Sequence, residues 1–107
     1  MLIRNAVASA KFSPDKMGKT TLAQGSQMMV GLNAFEPGQE HAAHAHAGQD
    51  KLYVILEGQG TVLVGDETDL LAVGDVAFAP AGVTHSIHNP GPDRLLVMAV
   101  LAPPPSK

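Results

Sequence analysis

The sequence predicts an all-β fold, a sandwich or barrel of short strands. Short runs rich in apolar, β-branched and aromatic residues recur along the chain. Turn residues break them at close intervals, with 11 Gly and 8 Pro among 107 residues. No segment shows a convincing helical period, so the pattern is that of closely spaced strands. A chain of this length forms one domain, 1–107, with a single core.

Taken in order, residues 1–12 are mixed and read as a peripheral N-terminal strand ending near Ser13-Pro14-Asp15. The run from Gln27 to Phe35 reads as a strand with Gly31 as a candidate bulge, stopped by Glu36-Pro37-Gly38. Residues 40–47 form a second extended piece, and Lys51 to Glu57 a third, closed by Gly58-Gln59-Gly60. Thr61 to Val64 and Glu67 to Ala72 flank Gly65-Asp66, a pair suited to a tight hairpin turn. Val76 to Ala79, Thr84 to Asn89 and Arg94 to Leu101 complete the set, separated by Pro80-Ala81-Gly82 and by Pro90 to Asp93. A Pro-rich tail, 103–107, ends regular structure.

Composition excludes several functions. Seven basic and ten acidic residues give a net charge of -3 with no basic stripe, which argues against a nucleic-acid partner. With no cysteine there is no disulfide, thiolate nucleophile or thiolate metal site. The longest apolar run, Leu95 to Ala102, is far short of the roughly 20 residues that cross a bilayer. No membrane partner and a cytoplasmic location are therefore expected, the N-terminus lacking a secretory pattern.

The stretch that carries chemistry is 38–58. In an extended chain His44 and His46 project from one face while Ala45 projects from the other, so their imidazoles can meet at one point. His85 lies about forty residues on, behind its own Pro-x-Gly corner.

With these residues the chain resembles the small single-domain bacterial cupins, over a barrel of about 27–101. Their first motif is Gly, five residues, His-x-His, three or four residues, Glu, six residues, Gly; Gly38, His44, His46 and Gly58 match it. Their second is Gly, five residues, Pro-x-Gly, two residues, His, three residues, Asn, matched by Gly74, Pro80, Gly82, His85 and Asn89. The resemblance implies a double-stranded β-helix, the cupin jelly-roll barrel. It also implies one divalent transition metal, Fe, Mn, Ni or Zn with Cu as a further candidate, held by His44, His46 and His85.

One position departs from the pattern. Six residues before Gly58, where the resemblance expects a carboxylate ligand, stands Lys51. At about 5 Å from a divalent ion, with an effective dielectric near 20, its repulsion would be roughly 7 kcal/mol. The ammonium must turn away, lose its proton or be screened by an anion. Asp50 and Gln49 are candidate fourth ligands, Asp50 only if a bulge falls between it and Tyr53. Lys51 and Tyr53 share strand parity and are candidates to line the cavity, ordinary core packing being the preferred reading for Tyr53. Glu40 and His41 are read as solvent-exposed, His88 as outward-pointing, and Asp66, Glu67 and Asp69 as a solvated hairpin.

Two functions fit. The first is a metal-dependent enzyme of dioxygenase, decarboxylase or isomerase type acting on a small anionic or oxygen-rich molecule. The second is a non-catalytic module that senses, stores or merely assembles. Under either, apolar residues on both faces of Leu52 to Leu56 and Leu95 to Leu101 exceed the needs of one core, so a homodimer is expected.

Overall fold

The structure, a computed structural model, describes residues 1–105. It contains β1 (Gly18–Gln24), β2 (Met29–Phe35), β3 (Glu40–His44), β4 (Asp50–Glu57), β5 (Gln59–Val64), β6 (Glu67–Ala72), β7 (Val76–Ala79), β8 (His85–His88) and β9 (Leu95–Ala102). One sheet has the order β1-β2-β9-β4-β7 and the other β3-β8-β5-β6, and every paired strand is antiparallel. The core joins the two: Phe35, Tyr53, Ile55 and Val97 from the first sheet pack with Val62 and Ile87 from the second. This is the double-stranded β-helix, and the strands expected from 27 to 101 lie within a few residues of their predicted ends.

Alternation explains the layers. In β4, Lys51, Tyr53 and Ile55 are buried while Leu52, Val54 and Leu56 are only half-buried, as a strand with one face on the core requires. The hairpin at Gly65-Asp66 forms as expected, with Val64 opposite Glu67. Gly58 closes β4 in the left-handed region at φ 76, where a Cβ would lie 2.1 Å from the Arg94 carbonyl oxygen, so a side chain fits neither the backbone nor the space.

The N-terminus corrects the sequence reading. Residues 1–12 form no strand; Ala6–Ser9 is a 3-10 helix, and Ala10 and Phe12 pack on Leu32, Ala34 and Leu96. The alanines of this segment lack the branching that favours a pleated strand. The first strand is instead β1, an edge strand whose mixed, mostly polar sequence shows no clean alternation. The irregularity foreseen at Gly31 lies across from it: β2 runs in register with β9, and the extra residue, Leu22, is in β1. Of the expected tail, Pro103 to Pro105 lack regular structure, and residues 106 and 107 lie outside the described residues. No helix among the described residues is long and apolar enough to cross a membrane.

Asn89 fixes the end of β8. It is 1 % exposed; its Nδ2 donates to the carbonyls of Phe35 (3.0 Å) and Asp93 (2.9 Å), and its Oδ1 accepts the Gly91 N–H at 2.8 Å. All of its hydrogen-bonding groups are used on backbone, so its place in the second motif is structural.

Candidate metal centre

His44 and His85 are direct partners across β3 and β8, which puts their ring centroids 4.3 Å apart. His46 follows two residues later, just past the end of β3. Its carbonyl accepts the Gly82 N–H at 3.0 Å, so the corner that leads into β8 also holds the backbone of the third histidine. Gly82 makes that corner at φ 82, a conformation glycine adopts without strain. The His46 ring lies 4.6 Å from His44 and 5.3 Å from His85. One nitrogen from each of the three falls within 4.8 Å of the others, close enough to hold one metal ion.

Hydrogen bonds select the nitrogen that His44 and His85 present. His44 Nδ1 meets the Ala42 carbonyl at 2.6 Å, and His85 Nδ1 meets the Val83 carbonyl at 2.9 Å. A carbonyl only accepts, so both Nδ1 atoms carry the proton and both Nε2 atoms present a lone pair. The Nε2 atoms of His44, His46 and His85 are buried with no hydrogen-bond partner. Converging lone pairs without a donor are costly unless something supplies positive charge, and a divalent cation answers that need. The donor set therefore fits a divalent transition metal, and the carbonyl bonds are the supports such ligands commonly have.

The electrostatics agree. Burial holds the His46 imidazole below its usual pKa, with His44 and Lys51 adding to the effect. Burial lowers His85 as well, partly opposed by the Val83 hydrogen bond. Both are neutral at pH 7, as an imidazole must be to bind a metal.

A fourth histidine stands beside them. β3 carries one extra residue between His41 and His44 relative to β8. That bulge reverses strand parity, so His41 shares a face with His44, at 4.3 Å between ring centroids, while Ala42, Ala43 and Ala45 are exposed. Burial, then Lys51 and Lys19, push the His41 pKa down to about 3. The expectation that His41 is solvent-exposed is thus corrected. Nothing in Ala42-Ala43 signals the bulge.

Neither candidate fourth ligand joins the group. The β4 register with β9 runs without interruption from Asp50 to Ile55, and its irregularity falls only between Ile55 and Glu57. Without the bulge it needed, Asp50 stays outside, where Oδ1 accepts the Ala81 N–H at 2.9 Å and steadies the corner before His85. Gln49 donates to the Pro103 carbonyl at 3.0 Å.

Lys51 does face inward. It is 3 % exposed and lines a cavity of about 170 Å³ with Lys19, Asn33, His41, His46 and Leu101. Its ammonium sits 4.9 Å from the Tyr53 ring centroid, a cation–π contact. Burial, then Lys19, bring its pKa down to about 8. Tyr53, a candidate for the same wall, packs in the main core, the preferred reading for it, with its ring 6.1 Å from that of His85. His88 is half-buried opposite Glu40 and Thr61 and belongs to no such cluster.

Fold and site together define a β-helical barrel with a three-histidine cluster inside. Residues 31–101 match the model of the cupin domain family, and the chain belongs to that family. It is 40 % identical over 79 residues to an uncharacterized protein of Streptomyces coelicolor, covering 74 % of this chain and 73 % of that one. It is 35 % identical over 65 residues to the oxalate-binding protein of Thermotoga maritima, covering 61 % and 54 % of the two. Among solved structures, the TT1209 protein of Thermus thermophilus superposes with a TM-score of 0.94 at 42 % identity, covering 98 % of this chain and 100 % of that one.

Proposed function

We propose that His44, His46 and His85 bind one divalent transition metal, Fe, Mn, Ni or Zn with Cu as a further candidate, and that the chain acts on a small anionic or oxygen-rich molecule beside it. The observation that carries this reading is the convergence of three imidazoles, each with a buried, partnerless Nε2, one of which, His46, lines a cavity. A metal with three neutral ligands would supply an undiminished double positive charge and open positions for substrate oxygens. The chain's own part is to keep His46 and His85 neutral, to orient His44 and His85 through their carbonyl bonds, to keep acidic side chains out of the cavity wall, and to aim Lys51 into it. Oxidation, decarboxylation or isomerisation are the reactions that suit such a site. Oxygen uptake or product formation by metal-loaded protein over a panel of β-diketones, phenols, keto acids and sugars, lost in His44→Ala, is the expected result. Full metal loading with no turnover anywhere on the panel would reject catalysis.

A second reading is a non-catalytic binder of a small anion. It draws on Lys51 standing where a carboxylate ligand was expected, and on the relative whose name is oxalate-binding protein. In either case the protein acts as a homodimer, because the outer face of β4, β7 and β9 presents Leu52, Val54, Val76, Phe78 and Val100 to solvent or only half-covers them.

A further inference from the structure

Lys51 is almost completely buried, yet among the described residues no carboxylate lies within ion-pairing distance of it. Lys19 lines the same cavity, and no acidic side chain does. A buried charge is ordinarily matched by an opposite one, so the cavity holds a positive charge that its walls leave uncompensated. His46, one of the three clustered histidines, lines this cavity too, so a divalent ion held by them would add to that charge. We propose that the cavity is a two-part site in which the metal and a small dianion bind cooperatively, the dianion lying between the metal position and the ammonium groups of Lys51 and Lys19. This rests on the metal-binding reading given above.

The physical logic is one of compensation. Lys51 and the metal repel one another when both are present alone, so each weakens the other's place in the cavity. An anion that reaches both removes that repulsion and adds attraction to each. Coupling of this kind is reciprocal: the anion tightens the metal by the factor by which the metal tightens the anion. A family member with a carboxylate ligand at this position would neutralise its metal from within the chain, whereas here neutralisation comes from the ligand. The size of the cavity, about 170 Å³ against roughly 300–1,000 Å³ for sites that take drug-sized ligands, restricts the anion to a few heavy atoms. Two carboxylates on a short carbon chain satisfy the size and the two-ended charge.

The test is a Co²⁺ titration of metal-free protein at pH 7, followed by visible absorption, with malonate and without it at matched ionic strength. Malonate is expected to tighten Co²⁺ at least tenfold in the wild type. Lys51→Gln is expected to bind Co²⁺ at least tenfold more tightly than wild type without malonate, and to respond to malonate by less than threefold. Lys19→Gln, at an exposed position, is expected to reduce the malonate effect while leaving malonate-free Co²⁺ affinity within threefold. Calorimetry of malonate with metal-free protein supplies a readout without metal: binding should be detectable and should weaken at least fivefold in Lys51→Gln. Thermal unfolding confirms that each variant is folded. Co²⁺ affinity that ignores malonate in wild type and Lys51→Gln alike would overturn the coupling and leave the metal site standing. Absence of Co²⁺ binding under every condition would overturn the metal reading and the coupling with it.

Discussion

At the residue scale, the site depends on which nitrogen each histidine offers. The Ala42 and Val83 carbonyls hold the protons of His44 and His85 on Nδ1, which leaves Nε2 free to ligate. Replacing His44 or His85 by Ala should lower metal affinity by 100-fold or more, measured by titration. Asp50→Ala should lower it by less than tenfold, since Asp50 supports the Ala81 corner and lies outside the three-histidine group. The depressed histidines also set the acid stability of the metal-free protein. His41, His46 and His85 are held below their usual pKa of 6.5, so below that pH the unfolded chain binds protons the folded one refuses. Stability should therefore fall as the pH drops from 6.5 towards 4. Lys51, lowered from 10.5 to about 8, acts in the opposite range. Between pH 8 and 10 the unfolded state holds more protons at this group, so stability should rise with pH. Above 10 Tyr53, its pKa raised by burial, opposes that rise. Urea unfolding in the presence of a chelator, followed from pH 4 to 10, checks both signs.

At the element scale, two features that build the site left different traces in the sequence. The strands from β2 to β9 were legible because their apolar residues and bounding glycines and prolines mark both faces and ends. The spacing of His44 and His46, and of the Pro80 corner before His85, was legible for the same reason. The bulge in β3 was not, because Ala42 and Ala43 fit a regular strand as well as an irregular one. Without it, His41 is assigned to the wrong face. β1 was obscure because an edge strand has one partner and little to bury, although Thr20-Thr21-Leu22 between Gly18 and Gly25 carried a weak β signal. Losing β1 meant losing Lys19, and with it half of the positive charge on the cavity wall. Where glycine ends β4, the local requirement is strict. Gly58→Ala places a Cβ against the Arg94 carbonyl in a left-handed conformation, and should destabilise the fold by about 2–4 kcal/mol in urea unfolding.

At the scale of the whole molecule, one sheet face is finished and the other is open. The interior face carries the core and the cavity. On the outer face, the N-terminal segment covers Leu32, Ala34 and Leu96, but Val76 and Phe78 remain 59 % and 54 % exposed at the β7 edge. Pairing of two such faces would bury them, so light scattering should return twice the chain mass of 11.1 kDa. Phe78→Glu should shift that equilibrium towards the monomer without unfolding it. A wild-type protein that stays monomeric at micromolar concentration would leave the face without this role.

The most direct measurement is X-ray absorption on protein loaded with Zn²⁺ and freed of excess metal, paired with metal analysis of the same sample. One zinc per chain with about three imidazole nitrogens at roughly 2.0–2.1 Å is expected, reduced to traces in His85→Ala. Stoichiometric zinc bound without imidazole, or retained unchanged in His85→Ala, would contradict a three-histidine centre.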